Sequence, residues 1–127
     1  MRRTMRTIAA VLSMAVVMAA GIAVLADEKH KGDKVTVEGE ILDMACYVAH
    51  EAKGAEHAKC AQACVKSGQP MGLLATDGQV YLLYASHDDA SAFESAKQHA
   101  GKQVSITGVA AKRGSMNGLE VHAVQAL

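Results

Sequence analysis

The sequence has no tryptophan, one phenylalanine and three tyrosines, so its aromatic rings are limited to Tyr47, Tyr81, Tyr84 and Phe93. It has no surplus of positive charge either: 13 Lys and Arg stand against 13 Asp and Glu, and the basic residues are scattered. Nucleic-acid binding needs a basic face, often with stacking rings, and both are missing. There is no Cys-x2-Cys pair and no Cys-x2-Cys-His, which removes the usual signatures of thioredoxin-like redox centres and of covalent haem attachment. The glycines are spread out and build no phosphate cradle. No residue constellation points to hydrolysis or group transfer, so the chain reads as a non-enzyme. Internal repeats and domain boundaries are also lacking.

The first 26 residues carry the three zones of a secretory signal. Arg2, Arg3 and Arg6 give a positive start, Ile8 to Leu25 is almost wholly apolar, and Val24-Leu25-Ala26 offers a cleavage site. The alternative is an uncleaved anchor, because about 18 apolar residues is the lower limit for crossing a bilayer. A cut after Ala26 leaves 13 acidic and 10 basic residues, a net charge of −3. The expectation is a periplasmic or secreted protein that does not engage a membrane once the signal is gone. About 100 remaining residues suffice for one hydrophobic core.

Residues 27–34 are charged and aperiodic and read as a flexible lead-in to a single domain over 35–127. Val35 to Leu42 alternates like a half-buried strand, with Gly39 marking a bulge or bend. Residues 43–69 are rich in Ala, Lys, His and Cys and read as helical turns broken at Gly54, the better helix running from Ala55 to Ser67. Met71–Ala75 and Gln79–Ala85 form a hairpin around Asp77-Gly78. Asp88–Ala100 reads as a helix. Gln103–Ala111 and Leu119–Leu127 read as strands joined through Gly114 and Asn117-Gly118. This order predicts a mainly β (α+β) fold: a five-stranded OB-like barrel, with a helical insert after strand 1 and a helix between strands 3 and 4. An open α+β sheet is the alternative.

All three cysteines and two of the six histidines fall in residues 46–64, as Cys46-x3-His50 and His57-x2-Cys60-x3-Cys64. At about 100° per residue, a helix places His57, Cys60 and Cys64 within an arc of roughly 60°. Two turns joined at Gly54 then aim several soft or borderline donors at one point. Thiolates and imidazole suit Zn2+ and Cu+, and three sulfurs plus one nitrogen complete a tetrahedral shell. The expected ligands are Cys46, His57, Cys60 and Cys64, with His50 as a substitute or supporting partner. Met44 would add a thioether but reads as packing.

A disulfide competes with the metal. An exported chain with three cysteines can hold one bridge and one free thiol. Cys60 and Cys64, one helical turn apart, are poorly aimed at each other, which makes Cys46 the better partner for either. Such a bridge leaves an odd thiol and gives the histidines no role. Elsewhere, Ser86-His87-Asp88 reads as a helix cap, His99 sits near a helix C-terminus, and His30 and His122 read as solvated.

The stretches Gly39-Glu40-Ile41-Leu42-Asp43, Cys46-Tyr47, Gly54, His57-Ala58-Lys59-Cys60, Cys64 and Gly68 to Gly72 resemble those of small exported bacterial proteins of unassigned function. Gly101-Lys102-Gln103-Val104 and the last strand extend the likeness. The resemblance implies an OB-like domain with a Cys-x13-Cys-x3-Cys/His insert, and it supplies no reaction. The functional expectation is a small metal-binding protein holding Zn2+ or Cu+ for delivery, tolerance or structure, with a metal ion and an exported protein as partners. The alternatives are a thiol/disulfide redox protein and a partner-binding module stiffened by its cysteines.

Overall fold

The computed structural model describes residues 32–127. The expected signal segment and most of the expected lead-in lie outside the described residues. Among the described residues, no helix is long and apolar enough to cross a membrane.

The chain runs through β1 (Asp33–Asp43), α1 (Met44–His50), a 3-10 turn (Ala55–His57), α2 (Ala58–Lys66), β2 (Met71–Ala75) and β3 (Val80–Ala85). It continues through α3 (Ser91–Ala96), a second 3-10 turn (Lys97–His99), β4 (Gln103–Arg113) and β5 (Met116–Ala126). The strands close into a barrel in the order β1-β2-β3-β5-β4. All neighbours are antiparallel except β3 and β5, which run parallel. A parallel pair needs a crossover, and α3 with β4 supplies it. The fold is therefore mainly β, with a closed five-stranded mixed barrel consistent with an OB-like one. Closure overturns the open-sheet alternative.

Gly39, expected to mark a bulge or bend, shows no register shift in either ladder and instead sits where β1 changes partners. Residues 33–40 of β1 pair with β4 and residues 39–43 pair with β2, so Gly39 and Glu40 serve both neighbours. A Cβ at Gly39 would collide with the Leu74 carbonyl, so only glycine lets the strands approach where β1 changes partners. The irregularity in register falls instead between Thr107 and Gly108 on β4.

Several boundaries differ from the sequence reading. β1 starts at Asp33, because backbone pairing of Asp33 and Lys34 with Ala110 and Val109 does not require apolar side chains. Asn117-Gly118 is not the turn: both residues lie in β5, paired with Lys112 and Ala111. The reversal is made at Gly114, the other residue expected in that connection, with φ +58. The helix expected from Asp88 starts at Ser91, whose N–H donates to Asp89 Oδ1 at 2.8 Å, while Ser86-His87-Asp88 makes a preceding turn in which Asp88 N–H donates to Ser86 Oγ.

The barrel interior is packed with Ile41, Leu73, Leu83, Val104, Ile106, Leu119 and Val121, all at most 3% exposed. Ala61 and Val65 of α2 and Ala96 of α3 join the same cluster. Burial at roughly 25 cal/mol per Å2 of apolar surface is the main force holding α2 to the barrel.

Candidate metal centre

The site is built where β1 turns directly into α1. Asp43 closes the strand and caps the helix, its Oδ1 accepting the Ala45 N–H at 3.0 Å. Met44 N–H donates to the Pro70 carbonyl at 3.0 Å, which ties the start of α1 to the start of β2. α1 ends at Glu51, a non-glycine residue with φ 55 whose N–H returns to the Cys46 and Tyr47 carbonyls. The expected break at Gly54 is thus preceded by an earlier one at Glu51. Gly54 then turns the loop with φ +87, and its N–H donates to Oε1 of Glu40, a buried carboxylate of β1.

α2 is anchored on one stripe and functional on the next. Ala61 and Val65, four residues apart, are buried against the core, while Cys60 and Cys64 occupy the adjoining stripe. Gly101, with φ +78, lies so close to the first residue of α2 that a Cβ there would strike Ala58. Gln62 Nε2 reaches the Ala100 carbonyl at 3.4 Å. These contacts fix the helix that carries two of the sulfurs.

The donors converge in two overlapping groups. Cys46, His57 and Cys60 have ligand atoms all within 4.8 Å of one another, and so do Asp43, Cys46 and Cys64. All three cysteines are free thiols; Cys60 is exposed, Cys46 and Cys64 half-buried. The structure therefore brings together four of the expected ligands, Cys46, His57, Cys60 and Cys64. The fifth, His50, is exposed in the last turn of α1 and belongs to neither group. Met44 is committed to packing, with its Sδ over Gly72.

The sequence reading missed Asp43. Asp before a helix start is an ordinary cap, and that role uses only one oxygen. The other, Oδ2, is buried, lies 4.0 Å from Nε2 of His57, and neither atom has a hydrogen-bond partner. Buried polar atoms are normally paired. A bound cation could satisfy both of these buried atoms at once.

The electrostatics agree. Burial pushes the Asp43 carboxyl up, but the Cys46 and Cys64 thiols and the backbone N–H groups of Ala45 and Cys46 outweigh it and hold it below the usual value. In return, hydrogen bonding to Asp43, followed by burial and the nearby negative charges, pushes the Cys46 thiol up to about 12. Cys64 is raised as well, chiefly by Asp43. These shifts favour the protonated forms of Cys46 and Cys64, protons that a bound cation would have to displace.

Of the other histidines, His122 is exposed, its Nε2 2.7 Å from Glu120 Oε1. His99 lies in the second 3-10 turn, with Nδ1 buried and unpaired. No family model, no curated protein and no solved structure matches this chain.

Proposed function

We propose that this chain is a small exported protein that holds Zn2+ or Cu+ through Cys46, His57, Cys60 and Cys64, with Asp43 as an added donor. Its domain is an OB-like barrel carrying the site in the insert after β1. The observation that carries the reading is that donors from the end of β1, the 3-10 turn and α2 (Asp43, His57, Cys60 and Cys64) all come within reach of the Cys46 sulfur of α1. Export is supported by the Arg-led apolar segment and the small residues at Ala26. Outside the cytoplasm such a protein captures the ion and passes it to an exported partner, or sequesters it.

The thiol/disulfide alternative is less well supported. A reactive thiol needs positive surroundings that stabilise its thiolate. Here the Asp43 carboxylate is the leading influence on Cys46 and Cys64, and it favours their protonated forms. A carboxylate among thiols suits a cation better than a nucleophile.

The test is metal content. Protein expressed from the complete sequence and purified anaerobically is expected to carry close to one Zn or Cu per chain. Cys46→Ser, which removes the sulfur common to both groups, is expected to abolish binding. Three titratable thiols in metal-free protein support the reading. A single free thiol with no bound metal supports the disulfide alternative.

A further inference from the structure

Asp43, His57 and the three cysteines form one cluster. Its two overlapping groups share Cys46, His57 Nε2 lies 4.0 Å from Asp43 Oδ2, and the Cys60 and Cys64 thiols are in contact. Asp43 is the odd member. It brings the one oxygen donor to three sulfurs and an imidazole, and at 1% exposed it is the most buried of the five. Its Oδ1 is taken by the Ala45 N–H, while Oδ2 has no hydrogen-bond partner. The next residue, Met44, carries a thioether but uses it for packing: its Sδ fills the space beside Gly72, where a Cβ would strike it. At the junction of β1 and α1, the soft thioether is committed to packing and the hard carboxylate to the cluster.

We propose that Asp43 sets the ion choice of the cluster: its carboxylate strengthens the hold on Zn2+ and adds nothing to the hold on Cu+. This inference rests on reading the cluster as a metal site, and it narrows that reading from two ions to one.

Thiolate and imidazole serve both ions, so Cys46, Cys60, Cys64 and His57 do not separate them. A carboxylate oxygen does. It is an ordinary zinc ligand, and as a hard donor it gives little to the soft Cu+. Charge acts in the same direction. A buried carboxylate needs a partner, because leaving it unpaired costs its lost hydration with nothing in return. A Zn2+ ion among the sulfurs brings two positive charges and can take Oδ2 as a donor. A Cu+ ion held by the same sulfurs brings one charge and leaves Oδ2 unpaired beside thiolates. The one feature of the cluster that treats the two ions differently is therefore the side chain of Asp43.

Two variants test this. Asp43→Asn keeps a side chain that caps α1 as well as aspartate does, and it removes the carboxylate. Cys64→Ser removes a sulfur and keeps the carboxylate. Affinities for Zn2+ and Cu+ are measured anaerobically on the complete expressed chain, each against a chromophoric chelator of that ion. The visible spectrum of the Co2+-loaded protein reads the donor set. Loss of a group that only supports a metal ligand typically costs about 10- to 100-fold, and loss of a ligand costs no less. Asp43→Asn is expected to lower Zn2+ affinity by at least about tenfold, to leave Cu+ affinity within about threefold, and to shift the Co2+ bands. Cys64→Ser is expected to lower both affinities by at least about tenfold. An equal loss for both ions in Asp43→Asn, or no loss for Zn2+, would overturn the selective role and leave the metal reading standing. Unsubstituted protein that binds Cu+ but not Zn2+ would do the same. Binding of neither ion would overturn both.

Discussion

Asp43 carries two duties with two oxygens. One accepts the Ala45 N–H and starts α1; the other is buried beside His57 and the sulfurs. The sequence reading assigned neither duty, although Asp before an Ala-rich stretch is a common cap. The second depends on His57 and Cys64 being brought back beside the end of β1, which no local pattern reports. The cysteines were easier to read, because spacing alone puts Cys60 and Cys64 on one helical stripe. The shared charge gives Cys46 a signature in the metal-free protein. Its thiol value is raised from 9.0 to about 12 in the fold, so its protonated form favours the folded state. That contribution is fully present below pH 9 and is lost as pH rises from 9 towards 12. Metal-free protein is expected to lose thermal stability across that window, and Cys46→Ser is expected to flatten the loss. Melting curves between pH 8 and pH 12 check this, and an unchanged slope in the variant contradicts it.

The helices act as the arms of the site and the strands as its base. β1 delivers Asp43 and Cys46 by running straight into α1, and its Glu40 holds the loop that presents His57. α2 is pressed down by Gly101, the one glycine whose positive φ coincides with a close approach to a helix of the site. Gly101→Ala forces a Cβ into Ala58 and strains the backbone, at a cost of about 1–3 kcal/mol. It should also weaken metal binding by shifting the start of α2. Gly114→Ala, at φ +58 with open space around it, costs about 1–2 kcal/mol of backbone strain and should leave metal binding alone. Denaturant unfolding of metal-free protein and zinc titration of both variants check the contrast. The strands were legible because the alternation of Val35 to Leu42 and of Gln103 to Ala111 is strong. The β4–β5 turn was rightly placed at Gly114 but drawn too long, because Asn117-Gly118 has turn chemistry but is held in β5 by pairing with β3 and β4, contacts no local pattern reports.

For the molecule as a whole, the barrel is a scaffold whose packed interior leaves chemistry to its periphery. The number and order of the strands were readable from the sequence. Closure was inferred from that order alone, whereas the contacts that make it, β1 reaching both β2 and β4 and the parallel β3–β5 pair, lie beyond any local pattern. The charge balance is a property of the whole molecule too: a net −3 after a cut at Ala26 favours the approach of cations, and the site adds a local carboxylate to that bias. What remains is whether sulfur, nitrogen and oxygen meet on one ion. X-ray absorption at the zinc edge of the loaded protein reads this directly. The account predicts sulfur neighbours at about 2.3 Å together with lighter nitrogen or oxygen neighbours at about 2.0–2.2 Å, with the sulfur signal reduced in Cys64→Ser. A shell made only of nitrogen and oxygen would contradict it.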